Sequence, residues 1–510
     1  MLAGTAARRG SAPALTFLDA RLEATTYAFS ELFERVDVLA ERFRGRALPA
    51  NAPIGILLRS QEEQVLHYLA ALRAGLVPSV LTPPSRKLDA ATFAATIAAS
   101  AEAIGFGGIV TDLDLQLAAP SYAPRSLETT GAGTREPSAA AAGLAFVQFS
   151  SGTTGLKKGV GVGNAAVLAQ IDAYGSALGV HEDDVIVSWL PLYHDMGFIA
   201  SLNLPLALGV HTVMLEPLDW VAAPDSYLHA VERYCATVGW HPNFAYAFMA
   251  DRVRATSRSE LSSLRALVNC SEPVTRRSQE RFRERFTSHG LRAGVFHGCF
   301  AMAETTFALT HGAETDPGAS DGDAVSVGTP IGSAELRAMR PDGSVASERE
   351  VGELETRAPF LFDGYYGNPG ATDAAVRDGW YRTGDLGYRV GDRWFVCGRA
   401  KDLVVVAGVN VHPHDVEEVV GALPGALPGR VSCFGERDEQ KETERVVVIV
   451  ESHGDDNEQA ALRTAARKAI LATFQIANFD VVVVPPRWLQ KSSSGKIARS
   501  ANREKWRAPA

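Results

Sequence analysis

The sequence has few cysteines and no pattern among them. Only Cys235, Cys270, Cys299, Cys397 and Cys433 occur in 510 residues, an odd number without a CxxC pair. This argues against a disulfide framework or a zinc ribbon and fits a reducing, cytoplasmic setting. Long apolar runs are also missing. The longest, such as Val446–Val450 and Val481–Val484, fall well short of the ~18–20 residues of a membrane span and read as buried strands. Met1–Thr16 has two arginines with no apolar stretch behind them, so no signal peptide is expected. Positive charge is not in excess: 50 Lys+Arg against 59 Asp+Glu leave a net charge of −9. A dedicated nucleic-acid binder would need a basic footprint. Any phosphate-bearing ligand must therefore be held by local features.

What remains is ordinary globular composition, 46% hydrophobic and 21% charged. The length suggests two to four domains. Short β-branched runs (Ile54–Leu58, Ile109–Thr111, Val185–Ser188, Thr212–Leu215, Leu264–Asn269) alternate with helical patterns such as Glu62–Ala74 and Pro224–Thr237. That alternation predicts α/β architecture with parallel sheets. Gln279–Phe286 reads as a charged amphipathic helix with a solvated face. From about Val325 the segments become short and Gly-punctuated, which predicts a small distorted β-barrel. After Gly398-Arg399-Ala400-Lys401-Asp402 a compact α+β unit of about 100 residues is expected. The expected division is a large domain over 1–401 and a small mobile one over 402–510. Ala118–Ala142, rich in Ala, Pro, Ser and Gly, reads as a surface loop or linker.

The densest local signal is Phe149-Ser150-Ser151-Gly152-Thr153-Thr154-Gly155-Leu156-Lys157-Lys158-Gly159-Val160. Val147–Phe149 reads as a strand leading into it. Glycines let backbone N–H groups turn toward an anion, hydroxyls add donors, and a lysine supplies a point charge. The spacing is not that of a Walker A loop. Gly159–Gly163 lacks the last glycine of a dinucleotide fingerprint and reads as a continuing strand. The bland alternative for the whole segment is a flexible Ser/Gly loop.

Ser150–Gly159 resembles the phosphate loop of the adenylate-forming superfamily, which includes acyl-CoA synthetases, fatty acyl-AMP ligases, luciferases and peptide-synthetase adenylation domains. Six further segments resemble that superfamily's motifs in order. They are Trp189–Gly197 with His194, the adenine segment Asn269-Cys270-Ser271-Glu272-Pro273, Phe300–Thr306, the ribose segment Tyr381–Gly387, the hinge Gly398–Asp402, and the lysine loop Ser492–Lys496. The similarity runs from about Ser30 to Arg499. Tyr193–Gly197, Pro242–Tyr246 and Ala303 look most like fatty acyl-AMP ligases. Those ligases carry an insertion just before the ribose motif that hinders entry of CoA. Here Ala371–Trp380 leads almost directly into Arg382–Asp385, so the insertion is absent.

The resemblance implies acid plus MgATP giving acyl-AMP, then transfer to a thiol, coenzyme A in preference to an acyl carrier protein. It implies nucleotide contacts from Ser150, Ser151, Gly152, Thr153, Thr154, Gly155, Lys158, Cys270, Ser271, Glu272, Phe300, Ala301, Met302, Thr305, Asp385 and Arg399. Glu304 with Thr153 would hold Mg²⁺, which needs few carboxylates when phosphate supplies oxygens. Asp385 would accept both ribose hydroxyls, and Phe300 would stack on adenine. Lys496 would bridge acyl carboxylate and α-phosphate. Lys491 is an alternative candidate for that role, although it lies outside the Ser-Gly-Lys unit. Asp402 would be the hinge, His194 would gate or orient the acid, and Gly408 would line the thiol channel. Trp240, His241, Asn243 and Phe244 would form the acyl pocket, the first two narrowing or reshaping it. Each has a structural alternative: a packed histidine, a flexible lysine, ordinary core aromatics. His412 and His414 lack the partners for zinc. Cys270, Ser271 and Ala301 replace smaller family residues. This keeps open a member that only thiolates a supplied acyl-adenylate, an AMP ligase loading a carrier protein, and a non-catalytic nucleotide-binding regulator. A role in natural-product biosynthesis and a homodimer are both compatible with this reading.

Overall fold

The computed structural model describes residues 2–46, 48, 50–84, 90–114, 121–124, 143–149, 158–254, 256–272, 274–322, 324–406, 409–439, 443–492 and 495–508. The largest sheet has nine strands. Its middle is six parallel strands in the order Phe296–Gly298, Ala266–Asn269, Val238–His241, Val185–Ser188, His211–Leu215 and Pro13–Leu18. Four of them, Phe296–Gly298 and Pro13–Leu18 being the exceptions, are bracketed by strands on both sides that are themselves parallel. They are short and mostly apolar because helices cover both faces of such a sheet. Antiparallel strands close the two edges. A second, parallel sheet orders Val77–Val80, Pro53–Leu57, Gly108–Thr111 and Ser121–Tyr122. Part of the expected Ala118–Ala142 linker is thus a strand; 118–120 and 125–142 lie outside the described residues. Leu144–Phe149 and Gly159–Gly163 pair as antiparallel strands, the latter as the sequence suggested.

From Glu335 the chain builds an antiparallel half-barrel of Glu335–Met339, Gly352–Arg357, Val376–Arg377, Trp380–Val390 and Arg393–Arg399. Val376–Arg377 turns into Trp380–Val390 through Asp378 and Gly379 alone, with φ of 50° and 76°. Two successive left-handed residues make the turn whose twist matches a tight hairpin. Nothing is inserted at this point.

A separate core begins at Val404 and uses residues only up to Val483. It packs the helices Pro413–Gly421 and Asp456–Phe474 against strands Val431–Asp438, Thr443–Glu451 and Phe479–Val484. The long helix starts at a full capping box between Asp455 and Glu458, which satisfies two otherwise orphaned N–H groups. All five cysteines are unpaired. Among the described residues no helix is long and apolar enough to cross a membrane.

Candidate active site

The carboxyl ends of parallel strands are where α/β sheets offer ligand crevices. Here the ends of Val238–His241, Ala266–Asn269 and Phe296–Gly298 open onto a cavity of ≈ 410 Å³, roofed by the C-terminal unit. Ser271, Glu272, Phe300, Ala301, Met302, Asp385, Arg399, Asn243 and Phe244 reach it from below, and Lys496 and Asp402 from above.

Trp380–Val390 and Arg393–Arg399 place Asp385 opposite Arg399 in register. Arg399 Nε lies 3.2 Å from Asp385 Oδ1. Asp385 is only 7% exposed. Burial pushes its carboxyl up to about 6, against the pull of Arg399 and Lys496 and helped by Glu304 and Asp402. The partner guanidinium is half in solvent, so it cannot offset the desolvation. A buried carboxylate with free acceptor capacity beside a cation suits a diol. Phe300, 8% exposed, offers an aromatic face on the same wall.

Asp195 is the second carboxylate. It precedes the wide helical turn Met196–Asn203, which has i→i−5 bonding, and its side chain accepts from the Met196 N–H. Such turns are rare and frequent at functional sites. Gly197 is required there, because a Cβ would stand 2.4 Å from the Pro191 carbonyl oxygen. Burial raises the Asp195 carboxyl, and Lys496 lowers it. Lys496 therefore acts electrostatically on Asp195 and Asp385 at once. His194 is partly buried beside Tyr193, ring centroids 5.0 Å apart.

Glu304 is held by Tyr365, whose hydroxyl donates to Oε1 at 2.9 Å. Lys158 Nζ lies 4.3 Å over the Tyr365 ring. A single carboxylate held in place by a tyrosine matches what Mg²⁺ bound mainly through phosphate oxygens needs. The donor set thus fits MgATP. Asp402, the expected hinge, is gripped by Arg499 at 3.0 Å, and Arg499 also holds Glu417 at 2.7 Å. Asp195, Tyr365 and Arg499 were not singled out from sequence. Asp195 sat inside a quoted motif. Tyr365 and Arg499 gave no signal, since their partners are 61 and 97 residues away.

Several expected site residues do not line this cavity. Trp240 and His241 are fully buried, away from the cavity. Trp240 Nε1 donates to Tyr174 Oη at 2.8 Å. His241 Nδ1 accepts from Trp189 Nε1 at 2.9 Å, and burial pushes its imidazole down to about 3. Both are central-strand core residues, because alternating side chains of a covered sheet point into helices on either face. Cys270 is likewise buried, its Sγ 3.1 Å from Met196 Sδ. Thr305 turns its hydroxyl onto the Met302 and Phe307 carbonyls and is fully buried. Ser150, Ser151, Gly152, Thr153, Thr154, Gly155 and Gly408 lie outside the described residues.

A model of the family described as AMP-binding enzyme matches residues 2–366. This chain belongs to that family. Across its whole length it is 28% identical to the long-chain-fatty-acid–AMP ligase FadD26 of Mycobacterium marinum, over 575 aligned residues and 97% of that protein. Among solved structures it is similar to McyG A-PCP complexed with phenylalanyl-adenylate. The TM-score is 0.90 at 20% identity, covering 99% of this chain and 82% of that one. It is also similar to O-succinylbenzoate coenzyme A synthetase from Bacillus subtilis in complex with AMP. There the TM-score is 0.80 at 24% identity, covering 98% and 97%. The AMP-binding enzyme described here is an ATP-dependent, adenylate-forming acid ligase of the fatty acyl-AMP ligase or acyl-CoA synthetase type.

Proposed function

We propose that this enzyme joins a carboxylic acid to a thiol in two steps, with coenzyme A preferred over a carrier protein. In the first, a carboxylate oxygen bonds to the α-phosphorus of ATP and pyrophosphate leaves. In the second, the thiol sulfur bonds to the acyl carbon, its proton is lost, and AMP leaves. The observation that carries the reading is that Lys496, from the C-terminal unit, enters the same cavity that Asp385, Arg399 and Phe300 line from the large body. An ammonium there meets the charge that grows on phosphoryl oxygens, an effect commonly worth 10²–10³ in rate. Asp385 accepts the ribose hydroxyls, Phe300 covers the base, and Arg399 and Lys158 face the phosphates. Glu304 holds Mg²⁺, which neutralises phosphate charge when bound. Residues 402–510 move as a unit on Asp402 between the steps, since the same lysine has to leave before a thiol approaches. The preference for coenzyme A is supported by the bare Asp378-Gly379 turn, where AMP ligases carry their insertion.

The test is ATP–pyrophosphate exchange over a panel of acids, followed by thioester formation with coenzyme A against holo-carrier protein. Exchange followed by acyl-CoA is the expected result. No exchange, with thioester formed from synthetic acyl-AMP, replaces this reading with thiolation alone. Thioester only on the carrier reassigns the acceptor.

A further inference from the structure

Phe244 enters the cavity from the start of helix Asn243–Arg252. Its N–H donates to Glu272 Oε2 at 2.9 Å, and the Trp189 ring meets it edge-on with centroids 6.3 Å apart. These contacts tie the ring to the large core. From the C-terminal unit, Gly495 descends on that ring. A Cβ on Gly495 would stand 3.1 Å from Phe244 Cζ and 3.2 Å from Cε1. Gly495 also has φ of +84°, which only glycine adopts freely. Lys491, at the other end of the loop, places Nζ 5.6 Å from the ring centroid. The loop is closed on itself: the Ser492 N–H donates to the Lys496 carbonyl at 2.8 Å, and the Gly495 N–H to the Ser492 carbonyl at 3.0 Å. Lys491 and Ile497 bridge across it. A self-braced loop thus rests on one aromatic ring, and the residue after the contact is Lys496.

We propose that Phe244 is a positioning residue, the seat that sets where the lysine loop docks and so where the Lys496 ammonium stands. This rests on the role of Lys496 given above. The flat ring crowds any side chain placed at Gly495, whose Cβ would stand 3.1 Å from it, and it attracts the Lys491 cation through its face. Loss of the ring lets the loop settle lower or drift. A misplacement of about 1 Å commonly costs ~10²-fold in rate.

The experiment uses the full chain with Phe244→Ala, Phe244→Tyr, Gly495→Ala, Lys496→Ala and the Phe244→Ala/Gly495→Ala double variant. Hydrogen–deuterium exchange of peptides covering 489–498 needs no substrate. Pyrophosphate exchange is run with MgATP and the acid that serves best among straight-chain and aromatic carboxylates. Phe244→Ala is expected to raise deuterium uptake in 489–498 and to lower the exchange kcat by ~10²-fold, with KM for ATP little changed. Phe244→Tyr restores both. Gly495→Ala is expected to cost less in the Phe244→Ala background than alone, because one steric conflict has gone. Unchanged uptake in Phe244→Ala, or strictly additive effects of the two substitutions, overturns the proposal. Lys496→Ala abolishes exchange without raising uptake. If it retains exchange, the lysine assignment falls, while the seat is still judged by uptake alone.

Discussion

Asp385 and Arg399 face each other in register on adjoining antiparallel strands, with Nε 3.2 Å from Oδ1, yet the carboxyl titrates near 6. Burial outweighs the ion pair. The native state therefore holds this proton more tightly than the unfolded chain does. Its contribution to stability is greatest in acid and is lost as pH rises from about 4 through 6. Asp385→Asn is expected to raise the melting temperature of the nucleotide-free protein at pH 7.5, by of order 1 kcal/mol of stability. The same change weakens AMP binding at least roughly tenfold, as loss of a charge-assisted hydrogen bond does. In the unmodified enzyme AMP affinity falls below pH 6. Calorimetric titration at pH 5 and 7.5 checks this, and equal affinities would contradict the ribose assignment.

Trp240 is a matter of stability. It is fully buried and bonded to Tyr174. Trp240→Ala is expected to cost about 3–5 kcal/mol, while Trp240→Phe leaves the order of preferred acids unchanged. Denaturant melts and an acid panel on both variants decide. A shift toward longer acids in Trp240→Phe would restore the indole to the pocket.

Arg499 joins the segment after the lysine loop to Asp402, the proposed hinge. Removing it leaves Asp402 and Glu417, both partly buried, without their shared cation. Arg499→Ala is expected to destabilise the C-terminal unit by about 3 kcal/mol and to increase protease cleavage near Lys401. Cleavage at the unmodified rate would exclude a clamp.

Ser271 has φ of 69° in the wall of the cavity. A left-handed backbone with a Cβ is strained. Ser271→Gly is expected to gain roughly 0.5–1 kcal/mol, the relief of that strain less glycine's extra chain entropy. It is also expected to leave pyrophosphate exchange undiminished. Reduced exchange would give the hydroxyl a role in binding nucleotide.

Much of this was legible beforehand because the signals were local. Short β-branched runs and apolar residues at helical spacing marked the sheets and helices, and Asp385, Glu304 and Lys496 stood in short motifs whose chemistry can be read residue by residue. For Trp240 and His241, which are buried and do not line the cavity, sequence leaves the pocket and core readings open, because an aromatic beside a substrate motif looks the same whether it faces a cavity or a covering helix. Tyr365 on Glu304 and Gly495 on Phe244 were invisible because each pairing joins distant segments, and no pattern within either segment requires the other.

Trp189 and Trp220 stack face to face, centroids 3.5 Å apart and planes tilted by 6°. Two indoles so close share their electronic excitation and give a distinctive near-ultraviolet circular dichroism band. Trp189 also touches the ring on which Gly495 rests. The stacked indoles thus lie one ring away from the Lys496 loop, and the docking of that loop on Phe244 proposed above is expected to be readable by light without attaching a dye.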